Sequence, residues 1–90
     1  MSPETITVKI LFFGAAAEIA GQREAEITFA SSTTAHEAFE KIQTVYQGLG
    51  RFGNGPKNSL LFAINQEYAN GGEILNEGDE LAIIPPVSGG

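Results

Sequence analysis

The sequence predicts an α+β domain in which one main helix packs on one face of a mixed sheet. Two observations lead to this prediction. Two segments in the first third of the chain alternate between apolar and polar residues, as strands do, and a central apolar stripe recurs at helical spacing. The 90 residues, 42% of them hydrophobic, suffice for one modest core. The expected organisation is one domain over residues 1–84 and an extended tail over residues 85–90.

Residues 5–13 and 24–29 are the first two predicted strands. Every second residue of each segment is apolar, and the side chains expected to face the core are Ile6, Val8, Ile10 and Phe12, then Ala25, Ile27 and Phe29. The small-residue segment 14–21 between them is expected to be a connection that could hold a helical turn. The two strands are therefore predicted to pair as a hairpin.

The central helix has the clearest local signals. Thr34 and Glu37 have the spacing of a capping box, in which a hydroxyl at the N-cap is followed by a glutamate three residues later. The apolar stripe that follows comprises Ala35, Ala38, Phe39, Ile42, Val45 and Tyr46. Gly48 is predicted to end the helix in a left-handed conformation, which gives a helix of about 13 residues.

The second half of the chain is predicted to be a loop over residues 48–59, a strand over 60–65 and a last strand over 80–84. Turn residues cluster at 70–72 and 76–79. The order is β-β-α-β-β, and the first and last strands are apolar enough to lie at the centre of the sheet. This arrangement is the β-grasp, as in ubiquitin. A ferredoxin-like fold is disfavoured because it needs a second helix.

The composition narrows the possible partners and chemistry. The net charge of −6 disfavours nucleic acid and anionic membranes and would suit a basic protein partner, although it could equally serve solubility. With no cysteine there is neither a disulfide nor a thiolate metal site. No apolar stretch approaches the roughly 20 residues of a membrane span, and the first residues do not resemble a signal peptide. The expected location is the cytoplasm.

Several motifs are present and are interpreted as structural. Residues 48–53 match G-x-G-x-x-G, but these glycines follow a helix, whereas a dinucleotide site needs them between a strand and a helix. His36 has no second histidine or cysteine with which to form a metal site. The carboxylates at Glu24 and Glu26, and those at positions 77, 79 and 80, are expected to be solvated.

Leu11, Phe13 and Ile84 are predicted to form a docking patch. By strand parity, Leu11 and Phe13 point away from the helix. Ile84 does the same if its neighbours Leu81 and Ile83 lie in the core. Three apolar side chains on an open sheet face, near the start of the tail, indicate a surface for a protein partner. The alternative is that the loop at 48–59 covers them.

The tail is the candidate reactive segment. Pro85 and Pro86 end the last strand and favour an extended direction. They are followed by the small residues Val87 and Ser88 and by the glycines Gly89 and Gly90. Such a segment reaches about 20 Å at ~3.3 Å per residue, so the Gly90 carboxylate could enter a narrow site in another protein. The alternative is an ordinary frayed terminus.

Four segments resemble a known family. They are Lys-Ile-Leu-Phe-Phe-Gly at 9–14, Ala-Ile-Asn-Gln at 63–66, Leu-Asn-Glu-Gly-Asp-Glu at 75–80 and Pro-Pro-Val-Ser-Gly-Gly at 85–90. Together they resemble the small, sulfur-carrier subunits of molybdopterin synthase, within the ubiquitin-related family of ThiS-like and MoaD-like proteins. The ending is the most specific part, and the match runs in register from Ile6 onwards.

The resemblance implies a non-catalytic sulfur donor. An adenylating enzyme of the ubiquitin-activating type would use ATP and magnesium to convert the Gly90 carboxylate to an acyl-adenylate. A persulfide donor would then leave a thiocarboxylate on Gly90. The large catalytic subunit would accept the tail and transfer the sulfur to cyclic pyranopterin monophosphate, in a heterotetramer of two small and two large subunits. The chain itself would bind no cofactor.

Other functions remain open. The chain could carry sulfur for thiamine synthesis, cysteine synthesis or tRNA thiolation, with the same chemistry at Gly90 and a different acceptor. It could instead be a ubiquitin-like modifier that forms isopeptide bonds with lysines. A domain that only binds other proteins, with an incidental tail, is a further alternative.

Overall fold

A computed structural model describes residues 4–49 and 61–85. The elements, in chain order, are β1 (Thr5–Phe12), α1 (Ala15–Ala20), β2 (Glu24–Ala30), α2 (Ala35–Val45), a 3₁₀ turn (Gln47–Leu49), β3 (Leu61–Ile64), β4 (Glu67–Ala69) and β5 (Glu80–Ile84). The strands form a five-stranded sheet in the order β2-β1-β5-β3-β4. β1 and β5 are parallel, and the other neighbouring pairs are antiparallel. The predicted α+β class, the mixed sheet and the central placement of β1 and β5 are confirmed.

The core lies between one face of the sheet and α2. Alternation along β1 buries Ile6, Val8, Ile10 and Phe12, as predicted. Phe29 of β2, Phe62 of β3, and Leu81 and Ile83 of β5 also belong to the sheet side of this core. Because successive strand residues point to opposite faces, the residues between these lie on the other side of the sheet.

Helix α2 begins with the predicted capping box. The Thr34 side chain accepts a hydrogen bond from the Glu37 backbone N–H at 3.2 Å, and the Thr34 N–H donates to the Glu37 carboxylate at 3.0 Å. The helix buries Ala35, Ala38, Phe39 and Ile42, all members of the predicted stripe. Phe39 packs edge-on against Phe62 of β3, with ring centroids 5.7 Å apart.

The prediction that Gly48 ends α2 in a left-handed conformation is wrong. The cap is Tyr46, whose N–H donates to the Ile42 carbonyl at 2.8 Å, and Gly48 belongs to the 3₁₀ turn that follows. A glycine is needed there for a different reason. A Cβ at position 48 would lie 2.7 Å from Cγ2 of Ile19, so any other residue there would require the Ile19 side chain to move.

Two elements were not predicted as such. The segment predicted as a small-residue connection contains α1, and β4 follows β3 immediately. Asn65 and Gln66 link β3 to β4 with φ values of 52° and 72°, as in the two-residue turns that suit the twist of antiparallel strands. The sheet therefore has a fifth strand, and the helix α2 is accompanied by a short second one.

Hydrogen bonds from the β3–β4 turn fix the start of β5. The Asn65 side chain accepts from the Glu80 N–H at 3.0 Å and donates to the Asp79 carboxylate at 3.0 Å. The Asp79 carboxylate in turn accepts from the Asn76 N–H at 2.7 Å. Two of the segments that carry the family resemblance, 63–66 and 75–80, thus meet in the fold and set the register of β5 between its neighbours.

None of the helices within these described ranges is long and apolar enough to cross a membrane. Most of the predicted loop at 48–59, and the part of the tail from Pro86 to Gly90, lie outside the described residues. The same is true of residue 60, at the predicted start of the third strand.

Candidate functional site

The sheet face opposite α2 carries a continuous band of apolar side chains across four strands. Leu11 lies opposite Ala82 in the strand register, Ala82 opposite Ala63, and Ala63 opposite Tyr68. A second row places Leu61 opposite Ile84. We call this surface the apolar face, and its residues are Leu11, Phe13, Leu61, Ala63, Tyr68, Ala82 and Ile84.

The apolar face has a small-residue floor and large, exposed edges. Ala63 and Ala82 are each only 7% exposed, whereas Phe13 is 48%, Leu61 49% and Tyr68 78% exposed. A shallow depression of about 240 Å³ lies on this face, lined by its residues other than Leu61. A floor of alanines ringed by larger side chains is a shape into which an apolar side chain of another protein can fit.

The apolar face adjoins the point where β5 ends. The Phe13 N–H donates to the Ile83 carbonyl at 3.2 Å, which extends the pairing of the two central strands by one step. Pro85, the next residue after β5, is buried. Its Cγ lies 3.9 Å from the position that a Cβ on Gly14 would occupy. The segment from Phe13 to Gly14 therefore borders both the apolar face and the first residue of the predicted tail.

Charged residues lie on the same side of the sheet, next to the apolar band. Glu26 of β2 and Glu80 of β5 lie opposite Lys9 in the strand register, and Glu24 lies two residues from Glu26 along β2, diagonally across from Lys9. The Lys9 ammonium lies 3.9 Å from the Glu24 carboxylate. This border carries more carboxylates than cations, so a partner that covers the apolar face meets mainly negative charge at this end.

The structure brings together the described part of the predicted site. Leu11, Phe13 and Ile84 share the apolar face, with Leu11 and Ile84 half-buried. Pro85 follows directly. The predicted site residues Pro86, Val87, Ser88, Gly89 and Gly90 lie outside the described residues. That all of these residues contact a partner stays a prediction.

Sequence reasoning missed four members of the apolar face: Leu61, Ala63, Tyr68 and Ala82. Ala82 and Ala63 have small side chains that give no clear sequence signal of a binding surface. Tyr68 belongs to β4, the strand that was not predicted. The parity of β3 would have placed Leu61 and Ala63 on one face. Which face this is depends on the pairing of β3 with β5, which a single sequence does not reveal.

Of the residues interpreted as structural, His36 and Glu77 lie in the described part of the chain. His36 is exposed, with its Nε2 3.7 Å from the Glu40 carboxylate. Glu77 was expected to be solvated, yet its carboxylate accepts a hydrogen bond from the Thr7 N–H at 2.9 Å, so it also holds the turn before β5 against β1. Across the two described ranges, no cluster of histidine, aspartate and glutamate is positioned to bind a metal ion.

Comparisons with known proteins agree with this architecture. The ThiS family model matches residues 10–90. The human molybdopterin synthase sulfur carrier subunit is 37% identical over 92% of this chain and 93% of its own length. The subunit of the same name from Caenorhabditis elegans is 38% identical over 94% of this chain and 99% of its own.

Solved structures support the same fold. The crystal structure of small archaeal modifier protein 1 from Haloferax volcanii superposes with a TM-score of 0.81 at 27% identity. The superposition covers 91% of this chain and 99% of that one. The fold is therefore the ubiquitin-like β-grasp, with one main helix against a mixed five-stranded sheet. On the family match and the near full-length similarity to its sulfur-carrier members, this chain belongs to the ThiS family.

Proposed function

We propose that this protein is the sulfur-carrier subunit of a molybdopterin synthase, with the Gly90 carboxylate as the carrier group. The human and Caenorhabditis elegans relatives are sulfur carrier subunits of that enzyme, and they align with this chain over almost their whole length. In this proposal the folded domain is not catalytic. It binds two proteins in turn and presents the same terminal group to each, in the reducing cytoplasm.

The observation that carries the proposal is the apolar face and its position beside the end of β5. A partner that covers this face contacts Phe13, which hydrogen-bonds to β5 one residue before Ile84 and precedes Gly14. Docking would thereby fix the position of Pro85 relative to the partner. A carrier needs this, because the reacting group must arrive in a defined geometry. The exposed aromatic side chains of Phe13 and Tyr68 at the edge of the face are of the kind that dominate binding energy in protein interfaces.

Activation is necessary because a carboxylate is a poor electrophile. Transfer of AMP from ATP to the Gly90 carboxylate, with release of pyrophosphate, gives an acyl-adenylate whose phosphate oxygen is a good leaving group. The chain contains no cysteine, so the sulfur must come from another protein. A persulfide that attacks the acyl carbon displaces AMP and forms an acyl disulfide. A second thiol then reduces this disulfide, which leaves the thiocarboxylate on Gly90.

Delivery takes place in the large subunit. The thiocarboxylate is a nucleophile, and a site that excludes water protects it from hydrolysis until it meets the acceptor. The acceptor is cyclic pyranopterin monophosphate. Because two sulfur atoms make one dithiolene, two carriers serve each product, which is consistent with a heterotetramer of two small and two large subunits.

Intact-mass measurement tests this function directly. The protein is incubated with ATP, magnesium, a persulfide donor and an adenylating enzyme of the ubiquitin-activating type. We expect a mass gain that corresponds to one sulfur in place of one oxygen, and its loss after addition of the large subunit and cyclic pyranopterin monophosphate. A protein whose mass stays unchanged with each activating enzyme of a molybdopterin pathway would refute the proposal.

A second candidate is a protein modifier, because the chain is similar in structure to a small archaeal modifier protein. The acyl group of the same Gly90 adenylate would then be transferred to the amino group of a lysine, with release of AMP and formation of an isopeptide bond. The intact-mass experiment separates the two. Adducts between this chain and lysines of other proteins support the modifier, whereas a sulfur-for-oxygen exchange supports the carrier. A sulfur carrier of another pathway would gain sulfur and fail to release it to the pterin.

A further inference from the structure

Arg23 is the one basic side chain in the described ranges whose charge is not engaged. The Lys9 ammonium lies 3.9 Å from the Glu24 carboxylate. The Lys41 ammonium donates to the Thr28 carbonyl at 2.7 Å and lies 5.3 Å from the centroid of the Phe29 ring. Arg23 is exposed and uses only its backbone carbonyl, which accepts from the Phe12 N–H at 2.8 Å. No other described residue makes an ion pair or hydrogen bond with its guanidinium.

The Arg23 side chain lines an open groove of about 740 Å³ between α1 and the adjacent ends of β1 and β2. Leu11 and Phe13 line both this groove and the depression on the apolar face, so the two surfaces are continuous. The other charged residues of the groove are Glu18, on α1, and Glu24. Glu24 already has Lys9 as a partner, which leaves Arg23 and Glu18 as two free charges of opposite sign.

We propose that Arg23 is a specificity-determining residue whose guanidinium pairs with a carboxylate of the large synthase subunit when that subunit covers the apolar face. This inference rests on the proposed function. The large subunit is the expected partner because the human relative is the sulfur carrier subunit of the same synthase. A guanidinium presents a planar set of donors that matches a carboxylate in two parallel hydrogen bonds, and arginine is enriched in protein interfaces.

The position of Arg23 explains what this pairing adds to an apolar contact. Burial of apolar surface has no direction, so the apolar face alone would allow several orientations of the partner. A cation at Arg23, directly before β2, and an anion at Glu18 on α1 line the same groove and favour a single orientation. The chain has a net charge of −6, so an unpaired cation at the edge of its binding surface is unusual in its surroundings. A carboxylate of the partner can recognise it specifically.

The experiment measures association of the purified large subunit with the full-length chain at several salt concentrations. Arg23→Gln removes one positive charge, and Gln43→Glu changes the net charge by the same amount on α2, which packs on the sheet face opposite the apolar face. We expect Arg23→Gln to lower the association rate constant by about 3–10-fold at low salt, with the difference closing near ~1 M salt. Gln43→Glu should have a clearly smaller effect. Arg23→Lys should recover part of the loss, because it keeps the charge without the paired donors.

The outcomes separate this inference from the proposed function. If Arg23→Gln binds the large subunit as Gln43→Glu does, the inference is overturned. It is also overturned if Arg23→Gln weakens binding only to the activating enzyme. In either case, a wild-type chain that still binds the large subunit and transfers sulfur leaves the proposed function standing. A wild-type chain that gains no sulfur and binds no large subunit refutes the proposed function instead. Thermal unfolding of each variant checks that the fold is intact.

Discussion

Gly14 connects β1 to α1 beside Pro85, and its backbone has φ 53° and ψ −129°. A residue with a Cβ rarely adopts this conformation, which lies outside even the left-handed helical region. We therefore expect Gly14→Ala to lower the free energy of unfolding by about 1–3 kcal/mol, as measured by urea denaturation. Space is not the cause, because the added Cβ would be 3.9 Å from Pro85, an ordinary contact.

Gly72→Ala is the matched control for Gly14→Ala. Gly72 is not among the glycines with positive φ, and its Cβ would meet only the Asn70 side-chain oxygen at 3.5 Å. This substitution should change the free energy of unfolding by less than about 1 kcal/mol. Equal effects of the two substitutions would mean that the backbone of Gly14 is not under the constraint described.

Glu73 gives stability a dependence on pH. Its carboxylate accepts hydrogen bonds from the N–H groups of Asn70 and Gly71, at 3.1 and 3.0 Å. The backbone hydrogen bond from Asn70 is the main cause that lowers the pKa of Glu73 below its ordinary value of 4.5. A carboxyl group with a lowered folded-state pKa stabilises the fold above the unfolded-state value, and this contribution is lost as pH falls through the folded-state pKa.

We therefore expect Glu73→Gln to be less stable than the wild type at neutral pH, with a difference that shrinks as pH falls below 4.5. Urea denaturation at a series of pH values measures this. Glu67→Gln is a suitable control, since no backbone N–H in the described ranges donates to the Glu67 carboxylate. A constant difference between wild type and Glu73→Gln across the acid range would contradict the assignment.

At the scale of elements, α1 is held by a close approach to the 3₁₀ turn. The contact depends on the absence of a side chain at Gly48, because a Cβ there would lie 2.7 Å from Cγ2 of Ile19. Gly48→Ala should therefore destabilise the protein by about 1–3 kcal/mol through overpacking. In the background of Ile19→Ala, which removes the opposing methyl group, the same substitution should cost much less. A double-mutant cycle measures this coupling, and additive effects would exclude the contact as the cause.

The contrast between α2 and α1 shows which elements the sequence reveals. The start of α2 was predictable because the capping box and the apolar stripe act within a few residues of each other. Helix α1 spans only Ala15–Ala20, too short for an apolar stripe to repeat. Its stability comes from packing against the 3₁₀ turn, a contact with residues distant in sequence. Strand β4 was missed for a related reason, since Glu67–Ala69 is too short for alternation to stand out.

At the scale of the whole molecule, the apolar face could be predicted in part. Strand parity placed Leu11 and Phe13 away from the helix, and the pairing of β5 with β1 brings Ile84 beside them. The contributions of β3 and β4 depend on which strands are neighbours, and that order is a property of the assembled sheet. The charge of Arg23 was visible in the sequence, but only the folded groove places it next to Leu11 and Phe13.

Phe13→Ala tests the apolar face as a binding surface. Phe13 is 48% exposed, and Val45 on α2 is 55% exposed on the other side of the molecule, so Val45→Ala is a control of similar exposure. We expect Phe13→Ala to weaken binding of the large subunit by roughly 10–100-fold, the loss typical of a large aromatic residue that becomes buried in an interface. The fold should stay intact by thermal unfolding. Equal binding by the two variants, measured by titration calorimetry, would argue against the apolar face as the docking surface.

The length of the chain beyond Pro85 matters if Gly90 carries the reacting group. In the proposed function, docking on the apolar face fixes the domain, so deletion of Gly90, or addition of one residue after it, shifts the acyl carbon by about 3.3 Å. Sulfur transfer requires the sulfur on the terminal acyl carbon to be held close to the reacting atom of the pterin. A shift of this size removes most of the rate advantage that positioning gives. We expect both variants to fold and to bind the large subunit, and neither to deliver sulfur to cyclic pyranopterin monophosphate.

Ser88→Ala, which keeps the length, should remain active. Product formation measured with preloaded carriers checks this, and normal molybdopterin synthesis by the lengthened chain would mean that the terminal carbon is not the site of transfer.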